Sequence, residues 1–274
     1  MSYSTLLVAL TLGRSNRQVL VTARELAQRL GSGVVGVAVG RPIAAVCGDL
    51  AVPAKLFDED RIQGVRQAHQ AEREFKAAFE GHVGRLEWRS RNAARPVADQ
   101  ISHEARSADL ILVGLPGEPP DATREPDMCD LVMGAARPVL IVPPTGEHAE
   151  LKRVLVGWKD TRETQRAIAD ALPLLQKAED VVLAGIASPA EADETGRQMA
   201  EVKAWLALHQ VKVRVAALPV EGANAHQFEL LANETNANLV VIGAYGHLRH
   251  SEWVLGGVTA AFLRQPVRPT LVSH

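Results

Sequence analysis

The sequence predicts an α/β protein built as two tandem doubly wound domains, each a roughly five-stranded parallel sheet flanked by helices. Three observations predict it. The same plan is written twice along 274 residues. The strand-like runs are short, apolar and rich in Val, Ile and Leu, as in sheets covered on both faces. Between them apolar residues recur at helical spacing.

The repeat shows in three pairs of segments. LLVAL at 6–10 corresponds to VLVGW at 154–158, ADLILVG at 108–114 to ANLVVIG at 237–243, and RPVLIV at 137–142 to RPTLV at 268–272. The first copy is longer in its front half, and 41–60 is the place for the extra residues. Breaker residues at 143–147 mark the join. The expected domains are therefore 1–144 and 151–274.

Within each copy strand follows helix. Val19, Ala23, Leu26 and Leu30 share one helix face, and Ile168, Ala171 or Leu172, and Leu175 share another. Asp160 or Thr161 caps the start of the latter, with Glu163 in its first turn. Val211, Val213 and Val215 alternate with Lys212 and Arg214, which predicts a half-exposed strand near an edge. Gly31-Ser32-Gly33-Val34-Val35-Gly36 matches a dinucleotide-binding spacing, but a helix precedes it and a strand follows. That order predicts a helix C-cap instead.

Composition excludes several function classes. Hydrophobic residues make up 47% and charged residues 23%, an ordinary globular balance that excludes a disordered chain. A net charge of −2 provides no field for nucleic acid or anionic lipid, and 4% aromatics provide no stacking platform for single strands. Two cysteines, Cys47 and Cys129, match no metal spacing, so no metal site is expected. No apolar run reaches the length of a membrane span, and the first residues lack a secretory pattern. The expected location is cytoplasmic.

The chemistry-bearing segment is 243–259. Gly243 and Gly246 follow an apolar strand, and after a gap of nine residues Gly256 and Gly257 open a helical pattern. Glycines let backbone N–H groups approach an anion, and a helix start adds free donors and a positive dipole end. Val258 and Thr259 belong to that first turn, and Thr259 adds a hydroxyl donor. His247, Arg249 and His250 can screen phosphate charge. No GxxxxGK[ST] loop exists, which excludes P-loop chemistry.

The spacing Gly243-x2-Gly246-x9-Gly256 resembles the ATP-binding signature of the universal stress protein family, and the resemblance extends over nearly the whole chain as two tandem domains. It implies a regulatory, ATP-binding protein of stress response. By that resemblance Val156, Gly157, Trp158 and Lys159 line the base and ribose end, and Ile186 or Ala187 flanks the adenine. Gly243, Gly246, Gly256, Gly257, Val258 and Thr259 hold the phosphates, with or without magnesium. The resemblance further implies that the closing strands at 139–142 and 270–272 pair within the chain as a pseudo-dimer. Two such chains can associate further as a homodimer. Two positions depart from the pattern. Lys159 stands where ATP-binding members carry an acidic residue, and an ammonium accepts no hydrogen bond from ribose. Gly257 replaces a Ser or Thr.

The first copy keeps Gly114-x2-Gly117, but Pro119, Pro120 and Pro126 remove donors. Glu118, Asp121, Glu125 and Asp127 repel phosphate. This copy is expected to have lost phosphate binding and to serve as a structural or partner-binding half.

His247, His250 and Glu252 fit solvated loop residues better than metal ligands. The helix bearing Glu72, Arg73, Glu74 and Lys76 reads as a solvated face, and His103 and His226 as helix-surface residues. The leading expectation is a ligand-biased switch that binds an adenine nucleotide in the second copy and presents a surface to a protein partner. A phosphate cradle without an evident general base argues against turnover. One alternative is a slow ATP hydrolase, with His247 or Glu252 positioning water and Lys159 or Arg249 stabilising phosphoryl charge. The other is a ligand-free assembly module.

Overall fold

A computed structural model describes residues 2–47, 53–82, 84–144, 151–244, 246–249, 252–255 and 257–274, and of 246–249 and 252–255 the backbone alone. The chain divides into two compact units, Ser2–His148 and Ala149–His274. The elements are α/β throughout.

In the first unit the order is β1 (Thr5–Leu10), α1 (Arg17–Leu30), β2 (Gly33–Gly40), α2 (Ile43–Cys47), α3 (Ala54–Ala78), β3 (Leu86–Asn92), α4 (Val97–Glu104), β4 (Leu110–Gly114), α5 (Met128–Gly134) and β5 (Val139–Val142). All neighbouring strands are parallel, in the order β3-β2-β1-β4-β5. The apolar runs sit at the centre: Leu6, Leu7, Leu110, Ile111 and Leu112 are fully buried, each side chain contributing about 2 kcal/mol. Helix α1 ends at Gly31, φ +69°, whose N–H returns to the Ala27 carbonyl, so the dinucleotide-like spacing is a helix C-cap. The extra residues of the front half form α2 and open α3. Phe75 of α3 lies flat on Gly36, where a Cβ would come within 2.7 Å of the ring, and packs on Phe79 and Trp88. Edge strand β3 carries a charged ladder in which Arg89 bridges Glu87 and Glu104, and Arg91 also binds Glu104.

The second unit repeats the plan: β6 (Arg153–Trp158), α6 (Arg162–Leu175), β7 (Asp180–Ala187), α7 (Ala192–Leu208), β8 (Arg214–Pro219), α8 (Asn224–Glu234), β9 (Leu239–Gly243), β10 (Gly246–Arg249), β11 (Glu252–Leu255), α9 (Gly257–Arg264) and β12 (Thr270–Ser273). Its parallel order is β12-β9-β6-β7-β8. Thr161, rather than Asp160, caps α6, its hydroxyl accepting from the Thr164 N–H.

Two expectations are corrected. The strand expected over 211–215 begins only at Arg214. Val211 and Val213 are buried but Val215 is 41% exposed, so the alternation breaks where the chain enters the edge strand β8. The gap between the motif glycines is not an open loop either. It folds into an antiparallel hairpin, with Gly246 opposite Leu255 and Arg249 opposite Glu252. In such a hairpin alternate residues exchange N–H···O bonds, so part of the amides expected to face an anion face the partner strand.

Candidate functional site

In a sheet of order 3-2-1-4-5 the chain leaves strands 1 and 4 toward opposite faces, and a crevice opens at their carboxyl ends. In the second unit these strands are β6 and β9, paired from Val154↔Leu239 to Val156↔Val241. A cavity of about 570 Å³ lies there, within the range of small-molecule sites.

Eight of the expected residues line it: Gly157, Trp158 and Lys159 at the end of β6, Ile186 on β7, Gly243 at the end of β9, and Gly257, Val258 and Thr259 at the start of α9. Val156 is fully buried within β6, and Ala187 is buried at the end of β7 opposite Pro219; neither lines the cavity. Gly256, Tyr245, His250 and Ser251 lie outside the described residues, as do the side chains of His247, Arg249 and Glu252; Gly246 is described as backbone in β10.

The wall also contains residues that sequence reasoning missed. Thr164 comes from the first turn of α6, and Ala184 and Ile242 from neighbouring strands. The loop after β8 and the start of α8 supply Gly222, Ala223, Asn224, Ala225 and Phe228. The signal for that loop was present: a third strand–helix junction at the same carboxyl edge, with Gly222 at φ +75°. Gln227 braces it, accepting from the Glu221 N–H at 3.1 Å and donating to the Pro219 carbonyl at 2.9 Å.

Packing explains the glycines differently from their sequence reading. A Cβ on Gly243 would stand 2.5 Å from the Thr164 nitrogen and 2.6 Å from the Glu163 carbonyl carbon. The first turn of α6 therefore lies directly on the end of β9, and only glycine fits. A Cβ on Gly157 would meet the Phe228 ring at 3.0 Å and Ile242 at 3.2 Å. Gly257, by contrast, has nothing within 4 Å of an added Cβ. It stands at the start of α9, whose first N–H groups have no partner within the helix.

Polar groups refine the picture. Thr259 is buried, and its hydroxyl, expected to donate to a phosphate, donates to the Gly243 carbonyl at 3.0 Å. It pins α9 to β9. The Ala244 N–H is spent on the Ser273 carbonyl at 2.7 Å. Among the described residues the amides opening α9 are backbone donors without a partner inside their helix. Trp158 is 8% exposed, and its indole N–H is buried without an acceptor among the described residues. Beneath Gly243, burial pushes the Glu163 carboxyl up, but the Arg162 hydrogen bond, its own amide, and the charges of Arg162 and His274 prevail and hold it below its ordinary value. At the mouth, the Ser188 hydroxyl foremost, helped by its amide and the Lys159 charge, holds the Glu191 carboxyl low.

Among the described residues Lys159 is the one charged residue lining the cavity. With no carboxylate in the described wall, that wall offers donors and apolar surface. Among the described residues no group of three His, Cys, Asp or Glu is placed to hold a metal ion, and no helix is long and apolar enough to cross a membrane.

No protein-family model matches the sequence, and no curated protein does. Solved structures do. A universal stress protein from Archaeoglobus fulgidus DSM 4304 superposes with a TM-score of 0.72 at 15% identity, covering 98% of both chains. The fold is that of the universal stress proteins. A functionally unknown protein from Pseudomonas aeruginosa PAO1 shares this universal stress fold at TM-score 0.63 and 15% identity, over 99% of this chain and 92% of its own. A candidate universal stress protein from Pseudomonas aeruginosa UCBPP-PA14 gives 0.63 and 16%, over 99% and 93%. At such identities the likeness concerns the universal stress fold and leaves function to the site.

Proposed function

We propose that this chain is a tandem universal stress protein whose C-terminal unit binds an adenine nucleotide and acts as a ligand-biased switch in stress response. The observation that carries the reading is the cavity itself. It combines an apolar wall of Ala184, Ile186, Phe228 and Ile242 with the start of α9 at Gly257, at the switch point of the sheet.

The apolar wall takes the adenine ring. The α9 amides and positive dipole end take phosphate. The residues fit the group in two further respects. Among the described residues an added Cβ on Gly257 meets nothing within 4 Å, and the one charge in the described wall is the cation Lys159, which donates to a ribose hydroxyl or meets a phosphate. No carboxylate lies in the described wall, so a magnesium ion would be held by phosphate oxygens and water. No His, Cys, Asp or Glu stands in the described wall, which favours binding over turnover. Bound phosphate lies next to the β10–β11 hairpin, the element through which the ligand state reaches a protein partner.

Isothermal titration of the whole chain with ATP and magnesium tests the reading. Saturable heat at micromolar ligand, lost in Phe228→Ala and weakened in Lys159→Glu, supports it. Absence of heat at high micromolar ATP overturns it.

A further inference from the structure

The N-terminal unit has its own crevice at the carboxyl ends of β1 and β4, and there the segment after Gly114 turns back on itself. Glu125 is the centre of this turn. Its side chain is 2% exposed, yet it carries a carboxylate. One oxygen accepts from the Gly117 N–H at 3.0 Å and from Arg14 Nε at 3.1 Å. The other accepts from the Asp121 N–H at 2.7 Å. Arg14 comes from the β1–α1 connection, and its Nη2 also donates to the Pro119 carbonyl at 3.1 Å. A Cβ on Gly117 would overlap the Arg14 guanidinium, so glycine is what allows the cation so near.

We propose that the N-terminal unit retains an oxyanion site and that its ligand is the chain's own Glu125 carboxylate. Two backbone N–H groups and a guanidinium converge on a group with two charged oxygens. That donor set recognises a phosphoryl or carboxylate group. By its charge alone Glu125 repels phosphate; the structure has it engaged by the donors a phosphate would use.

Two nearby carboxylates have partners of their own. Asp121 Oδ1 accepts from the Thr123 N–H and hydroxyl, and Asp60 pairs with Arg124 at 2.5 Å. Arg124 Nε reaches Gln67 Oε1 at 3.3 Å, which ties the turn to α3. Glu125 is thus presented to its donors from a fixed turn. A tethered ligand of this kind has an effective concentration in the millimolar range or above, and free phosphate at lower concentration does not displace it. The proposal concerns the N-terminal unit and stands independently of nucleotide binding by the C-terminal one.

Hydrogen exchange of the full chain, read at Gly117 and Asp121, tests it. In the wild type these amides are protected, and phosphate leaves them unchanged. In Glu125→Ala they exchange faster, and inorganic phosphate or sulfate restores protection saturably while chloride at equal ionic strength does not. Adding Arg14→Gln to Glu125→Ala abolishes that restoration. If Glu125→Ala does not accumulate as folded protein, Glu125→Gln serves: its one oxygen faces only one of the two N–H groups, and exchange speeds by about tenfold at the position its NH2 faces. Unchanged exchange in either variant, or exchange in Glu125→Ala that no oxyanion slows, overturns the proposal.

Discussion

Gly243 and Gly257 are both motif glycines, and the structure gives them opposite responses to the same substitution. In Gly243→Ala the new Cβ starts 2.5 Å from the Thr164 nitrogen and 2.6 Å from the Glu163 carbonyl carbon, both backbone, against an ordinary contact of 3.4–4 Å. Helix α6 and strand β9 must separate by about 1 Å, against close-packed surroundings. Residues Ala167, Ile168 and Ala171 on that helix are buried, so the shift propagates into the core. Overpacking of this kind costs about 3 kcal/mol, at the upper end of its usual range because no flexible side chain can yield. For a domain of this size that lowers the melting temperature by roughly 10 °C. In Gly257→Ala the Cβ meets nothing within 4 Å, and alanine loses less conformational freedom in the first turn of α9. The expected change is a gain of about 0.5 kcal/mol, or roughly 1–2 °C. Calorimetric melting of both variants without ligand reads the contrast directly. Equal melting temperatures for Gly243→Ala and the wild type would refute the packing explanation and return Gly243 to a ligand-facing role.

Other outcomes follow from the same geometry. Phe228→Ala removes a ring that is 2% exposed and stacks edge-on with Phe262 at 5.9 Å; a urea titration should show a loss of about 3–5 kcal/mol. Glu163, whose carboxyl is held below its ordinary 4.5, contributes stability that is present above that value and lost as pH falls through the lowered one. Glu163→Gln should therefore flatten the acid limb of the stability profile below pH 4.5 and leave its alkaline side unchanged. Asp130 has the opposite sign: desolvation, then the carboxylates of Asp127 and Asp99, raise it above 3.8. Its contribution is favourable below 3.8 and is lost as pH rises through the raised value, so Asp130→Asn should be the more stable protein at neutral pH, with the gain vanishing at about pH 3. Nucleotide binding should change tryptophan emission, and Trp158→Phe should remove most of that change.

The alternation of strands and helices is legible because it rests on local periodicity, and the repeat because it rests on similar short runs such as ADLILVG and ANLVVIG. What escaped was long-range or two-sided. Phe228 touches Gly157 across the crevice, and no spacing in sequence announces that contact. The stretch after Gly246 was read for its glycines, which suggested an open loop, while the backbone pairs 246–249 with 252–255. Thr259 was read as a donor toward ligand, whereas the nearest acceptor is the Gly243 carbonyl. Glu125 was read by its charge alone, which cannot show that Arg14, more than a hundred residues away in sequence, lies against it.

The ladder on β3 has a consequence for how the protein behaves when crowded. A sheet ends in a row of backbone groups that any extended chain can extend, and β3 is such an end. To dock there, an incoming strand would have to lie against Arg89, Glu87, Arg91 and Glu104 and break a network that already satisfies them. Guanidinium groups standing guard along that border make fibrillar growth from it costly. Salt weakens the exposed Arg91 end of this guard most, whereas the pairing of Arg89 with Glu104, both largely buried, is screened less.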